Sequence, residues 1–112
     1  MNKKQKKQII GRDIDLANGR FRDEEIDCLY DIVSNKNSYN GRTRTFKDSY
    51  DGWSSEGKFH RNETTSYKIR AGKRGVSIDE SYYCHDDDGA TWNENRSHTK
   101  ARDILNVLKK AF

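Results

Sequence analysis

Thr64-Thr65-Ser66-Tyr67-Lys68-Ile69-Arg70-Ala71, then Gly72-Lys73-Arg74-Gly75, then Val76-Ser77-Ile78-Asp79 is the stretch on which the fold turns. Thr65, Tyr67, Ile69 and Ala71 alternate with Thr64, Ser66, Lys68 and Arg70. A period of two puts one row of a strand on a core and leaves the other row, here basic, in water. After the glycine-bounded loop, Val76, Ile78, Tyr82 and Cys84 fall on one side and Ser77, Asp79, Ser81 and Tyr83 on the other, with Glu80 interrupting the apolar row. The pattern predicts an antiparallel hairpin with a four-residue loop over residues 72 to 75.

Outward from the hairpin, Asp86-Asp87-Asp88-Gly89 reads as a second turn, leading to a short strand over residues 90 to 93 that carries Trp92. A further strand is predicted over residues 42 to 48. On the N-terminal side, Ile26, Leu29, Tyr30 and Val33 stand at i, i+3, i+4 and i+7, which predicts a helix over residues 23 to 34 with all four on one stripe. Asp23, Glu24 and Glu25 crowd its first turn, where exposed amides favour negative charge. Residues 35 to 41 break it. At the C-terminus, Ala101, Ile104, Leu105 and Leu108, continuing to Ala111 or Phe112, form the stripe of a second helix with Ser97 or Thr99 as its N-cap. Residues 9 to 22 read as an ordered lead-in of no assigned type. The expected class is α+β, a small antiparallel sheet of three to four strands flanked by an N-terminal and a C-terminal helix. Both helices pack on one sheet face, and the other face is left to solvent or a partner.

Only 31% of the 112 residues are hydrophobic while 36% are charged, so the core must be small, and the twelve aromatic residues supply much of its area. Lys3 to Gln8 offer no face to bury, so residues 1 to 12 are expected to be a basic flexible arm and residues 13 to 112 a single domain. Cys28 and Cys84 make neither a disulfide framework nor a CxxC knuckle, which predicts a reduced, cytoplasmic setting. No stretch suits a signal peptide or a membrane span. Proline is absent, so turns fall to Gly, Asn, Asp and Ser.

The formal charge of +4 conceals five blocks of alternating sign: +5 over residues 1 to 12, −4 over 13 to 40, +5 over 41 to 75, −6 over 76 to 95 and +4 over 96 to 112. Clustered Lys and Arg is the footprint of a surface that meets phosphates, and five of the eight glycines precede Lys or Arg, as in Gly41-Arg42 and Gly72-Lys73. The chain is therefore expected to be a non-catalytic nucleic-acid-binding module. Its contacts are expected at Lys3, Lys4, Lys6, Lys7, Arg42, Arg44, Lys68, Arg70, Lys73, Arg74, Lys100 and Arg102. Tyr39, Phe46, Tyr50, Trp53 and Phe59 are interleaved with cations; most of them are expected to be core, and at most one or two to stack on bases or sugars. The alternative class is a phage or mobile-element inhibitor of the anti-CRISPR or anti-restriction type. Such a protein would dock on a nucleic-acid-processing enzyme through an acidic patch of Asp79, Asp86, Asp87, Asp88 and Glu94.

A small nuclease ranks third. Asp51 with Glu56-Gly57-Lys58 resembles the carboxylate and Glu-x-Lys group of restriction-type nucleases, although four intervening residues are too few for that arrangement. His60, His85 and His98 share no spacing that one element would converge, and Cys84-His85 with Cys28 and His98 makes a poor zinc set, so no metal and no cofactor are expected. The order helix, three strands, helix over residues 23 to 112 resembles that of double-stranded RNA-binding domains, and residues 97 to 102 are similar to the basic opening of their last helix. The chain lacks that family's Gly-Pro-x-His loop and the small residues that follow the opening. The resemblance implies that Lys100 and Arg102 face phosphates across a groove.

Overall fold

In the computed structural model, which describes residues 1 to 112, β2 (Gly57–Gly72) and β3 (Gly75–Asp86) form the predicted hairpin. Their register runs from Arg61 opposite Asp86 to Gly72 opposite Gly75, with Tyr67, Ile69, Ala71, Val76 and Ile78 buried on one face. Because Gly72 and Gly75 themselves pair, the loop is Lys73-Arg74 alone rather than four residues. Gly75 has φ +107°, and a Cβ there would lie 2.6 Å from the Asp13 carbonyl oxygen. That oxygen accepts a hydrogen bond from the Val76 amide at 3.0 Å, so the hairpin end is stapled to the lead-in segment at a site only glycine fits.

The sheet is a four-stranded antiparallel meander in the order β1-β2-β3-β4, with β1 (Thr43–Ser54) and β4 (Thr91–His98) at its edges. Both edge strands outrun their predicted ends. Polar residues occupy both rows of each, so alternation gives no signal, and pairing with a long neighbour extends the strand instead.

α2 (Asp23–Ser34) and α4 (Ala101–Ala111) are the expected helices, but each is turned relative to its predicted stripe. α2 buries Ile26, Leu29 and Ile32, with Tyr30 and Val33 at the margin, while α4 buries Ala101, Ile104, Val107 and Ala111, with Leu105 and Leu108 half-buried. Neither Ser97 nor Thr99 caps α4. Its first turn is met by the lead-in, where the Ala101 amide donates to the Asp15 carbonyl at 2.7 Å, and Ser97 Oγ turns to Asp79 at 2.8 Å.

The largest departure is at the N-terminus. The expected flexible arm contains α1 (Lys3–Ile10), opened by an Asn2/Gln5 capping box and closed at Gly11. Ile10 is fully buried in the common core, and Lys3 and Lys6 pair with Asp23 and Asp27 of α2 at 3.3 and 2.7 Å. Two adjacent isoleucines show no helical period, so the sequence hid a helix that docks through one buried isoleucine and a row of ion pairs. α3 (Lys36–Tyr39) is a single turn between α2 and the sheet. The core joins Ile10, Ile14, Phe21, the buried faces of α2 and α4, and the Tyr67 to Ile78 end of the hairpin.

Ile104→Ala is expected to cost about 2 to 5 kcal/mol, because the side chain is fully enclosed and its cavity cannot collapse. Leu105→Ala should cost clearly less, since that side chain is only partly buried. Urea unfolding of both variants distinguishes the observed helix rotation from the predicted one.

Candidate nucleic-acid interface

The register sorts every strand residue to one of two faces. Thr43, Thr45, Ser66, Thr64, Ser81, Asn93 and Asn95 lie on the face away from the helices together with Lys47, Lys58, Lys68, Arg70, Trp53 and Tyr83. None of these residues is buried, and Trp53 is 79% exposed. The four cations outweigh the two carboxylates of this face, Asp51 and Asp79, and both carboxylates are engaged. Asp79 takes Arg70 at 3.2 Å and Ser97 at 2.8 Å, and Asp51 takes Lys58 at 3.4 Å. Lys47 and Lys68 have no acidic partner, and neither have Lys73 and Arg74 at the hairpin tip, which rims an open cleft of about 550 Å³ with Asp13, Asn40 and Thr99.

The remaining predicted cations scatter. Lys3 and Lys6 are paired within the helix layer, which leaves Lys4 and Lys7 unpaired on α1. Arg42 stacks on Tyr39 with its guanidinium 4.2 Å from the ring, and Arg44 lies on the helix side, donating through Nε to the Ala111 carbonyl at 2.9 Å. Lys100 sits exposed at the α4 N-cap. Arg102 is held by the Glu25 carboxylate, the Arg20 carbonyl at 2.9 Å and the Phe21 ring at 4.8 Å. The implied phosphate role of Arg102 is therefore replaced by a link from α4 to α2, and β4 intervenes where the RNA-binding-domain order has three strands.

The predicted acidic patch also divides. Asp86 is 5% exposed and receives a forked pair of bonds from Arg61, at 2.6 and 2.9 Å, so it is a structural partner and not a surface charge. The Arg61 fork holds its carboxyl below the usual range in spite of burial. Asp87 accepts from the His60 amide of β2 at 3.2 Å, and Asp88 accepts from the Ala90 amide within the turn at 2.9 Å. Glu94 lies on the helix-side face opposite Tyr82, whereas Asp79 lies on the basic face.

Two groupings escaped the sequence. His60 and His85 reach the same open face through the β2–β3 register, and His60 Nδ1 lies 2.9 Å from Asp51 Oδ1 beside Lys58. Their separation of 25 residues carries no spacing signal; only the register of the hairpin reveals it. Asp51 is held below its ordinary range by that His60 contact first and by Lys58 second. The second grouping is the set of aromatic rings on the helix-side face beyond the core. No three of the histidine, cysteine, aspartate and glutamate side chains come together as a metal site. Comparison with family models, with curated proteins and with solved structures finds no match for the chain. No helix is long and apolar enough to cross a membrane.

Glu25 gives a pH signature. The Arg22 amide and then the Arg102 guanidinium hold its carboxyl at about 2, against an ordinary value of 4.5. The unfolded chain therefore binds a proton that the folded chain refuses between those values, so the stabilisation is complete above about 4.5 and is lost as pH falls toward 2. Thermal unfolding across that window should show a shallower acid loss in Glu25→Gln than in the parent protein.

Proposed function

We propose that the protein binds nucleic acid through the open sheet face and the adjoining hairpin tip. The observation that carries this reading is that Lys47 and Lys68 on the open face, and Lys73 and Arg74 at the adjoining hairpin tip, have no acidic partners, while hydroxyl and amide side chains surround the two strand lysines. Cations set the affinity by displacing counterions from phosphates, and Ser, Thr and Asn complete the backbone contacts. Trp53 and Tyr83, both exposed on the same face, add rings on which bases or sugars stack. Lys4, Lys7 and Lys100 are peripheral to this surface and contribute to the long-range field rather than to contacts.

The test is a fluorescence titration of short labelled duplex and single-stranded nucleic acids at several salt concentrations. Four phosphate contacts predict a slope of log affinity on log salt of about −3.6 for duplex DNA, so a fourfold rise in salt weakens binding about a hundredfold. Lys68→Ala should reduce the slope by about 1 with little sequence dependence, and Lys73→Ala with Arg74→Ala by about 2. A flat salt response would remove this function.

A further inference from the structure

The helix side of the sheet is only half covered. Cover ends at the row containing Arg44, Tyr67 and Glu80, where Arg44 reaches the last carbonyls of α4 and the Lys110 ammonium sits 5.5 Å from the Tyr67 ring centre. Beyond that row the strands run on for about 25 Å in a molecule 60 Å long, and none of their side chains joins the helix-packed core.

This overhang is stiff. The Arg61 guanidinium is sandwiched between Phe59 and Trp92, 5.0 Å from each ring centre, while its fork grips Asp86. Tyr50 and Tyr82 both donate their hydroxyls to Glu63 Oε1, at 3.0 and 2.6 Å. Tyr50 and Tyr82 are thus held by their hydroxyls, Phe59 and Trp92 by Arg61 over their faces and Phe46 by its edge contact with Tyr67, and Phe46, Tyr50 and Trp92 remain 46%, 41% and 48% exposed. Fixed aromatic rings beside an arginine have the composition of a binding hot spot, because ordering them on binding costs little.

The sign of the charge selects the occupant. Beyond that row Asp48, Glu63, Asp86 and Glu94 face the overhang against Arg61, a balance of three negative charges, with Arg44 and Lys110 at its inner margin. Phosphates are repelled, so this is no continuation of the nucleic-acid face. A second copy docked face to face is repelled equally.

We propose that the overhang docks a separate protein through a cationic segment. The segment's aromatic or aliphatic side chains cover Phe46, Tyr50 and Trp92, and its Lys or Arg residues pair with Asp48 and Glu94. Such segments line the basic clefts of proteins that handle nucleic acid. The surface is independent of the nucleic-acid reading, since it lies on the opposite face.

A display library of random dodecapeptides, panned on the immobilised full-length protein, tests this. Enriched peptides are expected to be net positive with at least one large apolar residue. Their affinity should fall at least about tenfold on Trp92→Ala and on Glu94→Lys, and should be unchanged on Lys68→Ala. Glu94 has no partner, so its variant folds even if loss of the Trp92 ring disturbs Arg61. Neutral or acidic binders, binders indifferent to Trp92→Ala and Glu94→Lys, or no enrichment at all would overturn the proposal. So would sedimentation showing a self-associated protein that Glu94→Lys dissociates.

Discussion

Ile69 and Ile78 face each other across the middle of the central hairpin, and both are closed from water. That pairing fixes the register of β2 on β3, and the register fixes everything else, because a slip of β2 by one residue would turn Tyr67 and Ile69 outward and Lys68 and Arg70 into the core. The helices have a surface to pack on only while the alternation holds. The same alternation produces the basic face, as every second residue of a strand is exposed by the burial of its neighbours. Fold and candidate function are therefore two sides of one constraint.

The alternating charge blocks are answered in part within the chain. The basic N-terminal block lies along the acidic start of α2 through the Lys3–Asp23 and Lys6–Asp27 pairs, and the basic β2 meets the acidic β3 through Arg61–Asp86 and Arg70–Asp79. Exposed pairs of this kind contribute little stability. The Arg61–Asp86 pair differs, since burial of the carboxylate makes loss of either partner costly. Among the cations left over after this internal matching, Lys47, Lys68, Lys73 and Arg74 are those on or beside the open sheet face. Carboxylates left over, Asp48 and Glu94 among them, collect on the other face.

The α+β class, the central hairpin, α2 and α4 were legible in the sequence because each buries a periodic row. The edge strands were half legible, since their ends lean on a partner and not on their own pattern. α1 was illegible: its docking rests on one buried isoleucine and on charges that read equally well as a solvated arm. The helix stripes were misread by part of a turn for a related reason. Where apolar residues such as Tyr30, Ile32 and Val33 overlap, only the neighbouring element decides which of them is covered, and for α2 that neighbour includes α1. Of the candidate site, Lys68, Arg70, Lys73 and Arg74 were read correctly as exposed. Asp86 was not, because a buried ion pair carries no local signature, and the link of the exposed Arg102 to Glu25 was invisible for the same reason.

Lysine-reactive footprinting of the protein with and without bound nucleic acid tests the account most directly. Lys47, Lys68 and Lys73 should lose reactivity in the complex, while Lys4, Lys109 and Lys110 on the helix layer keep theirs. Protection confined to Lys4, Lys7, Lys109 and Lys110, with Lys47 and Lys68 still reactive, would contradict it.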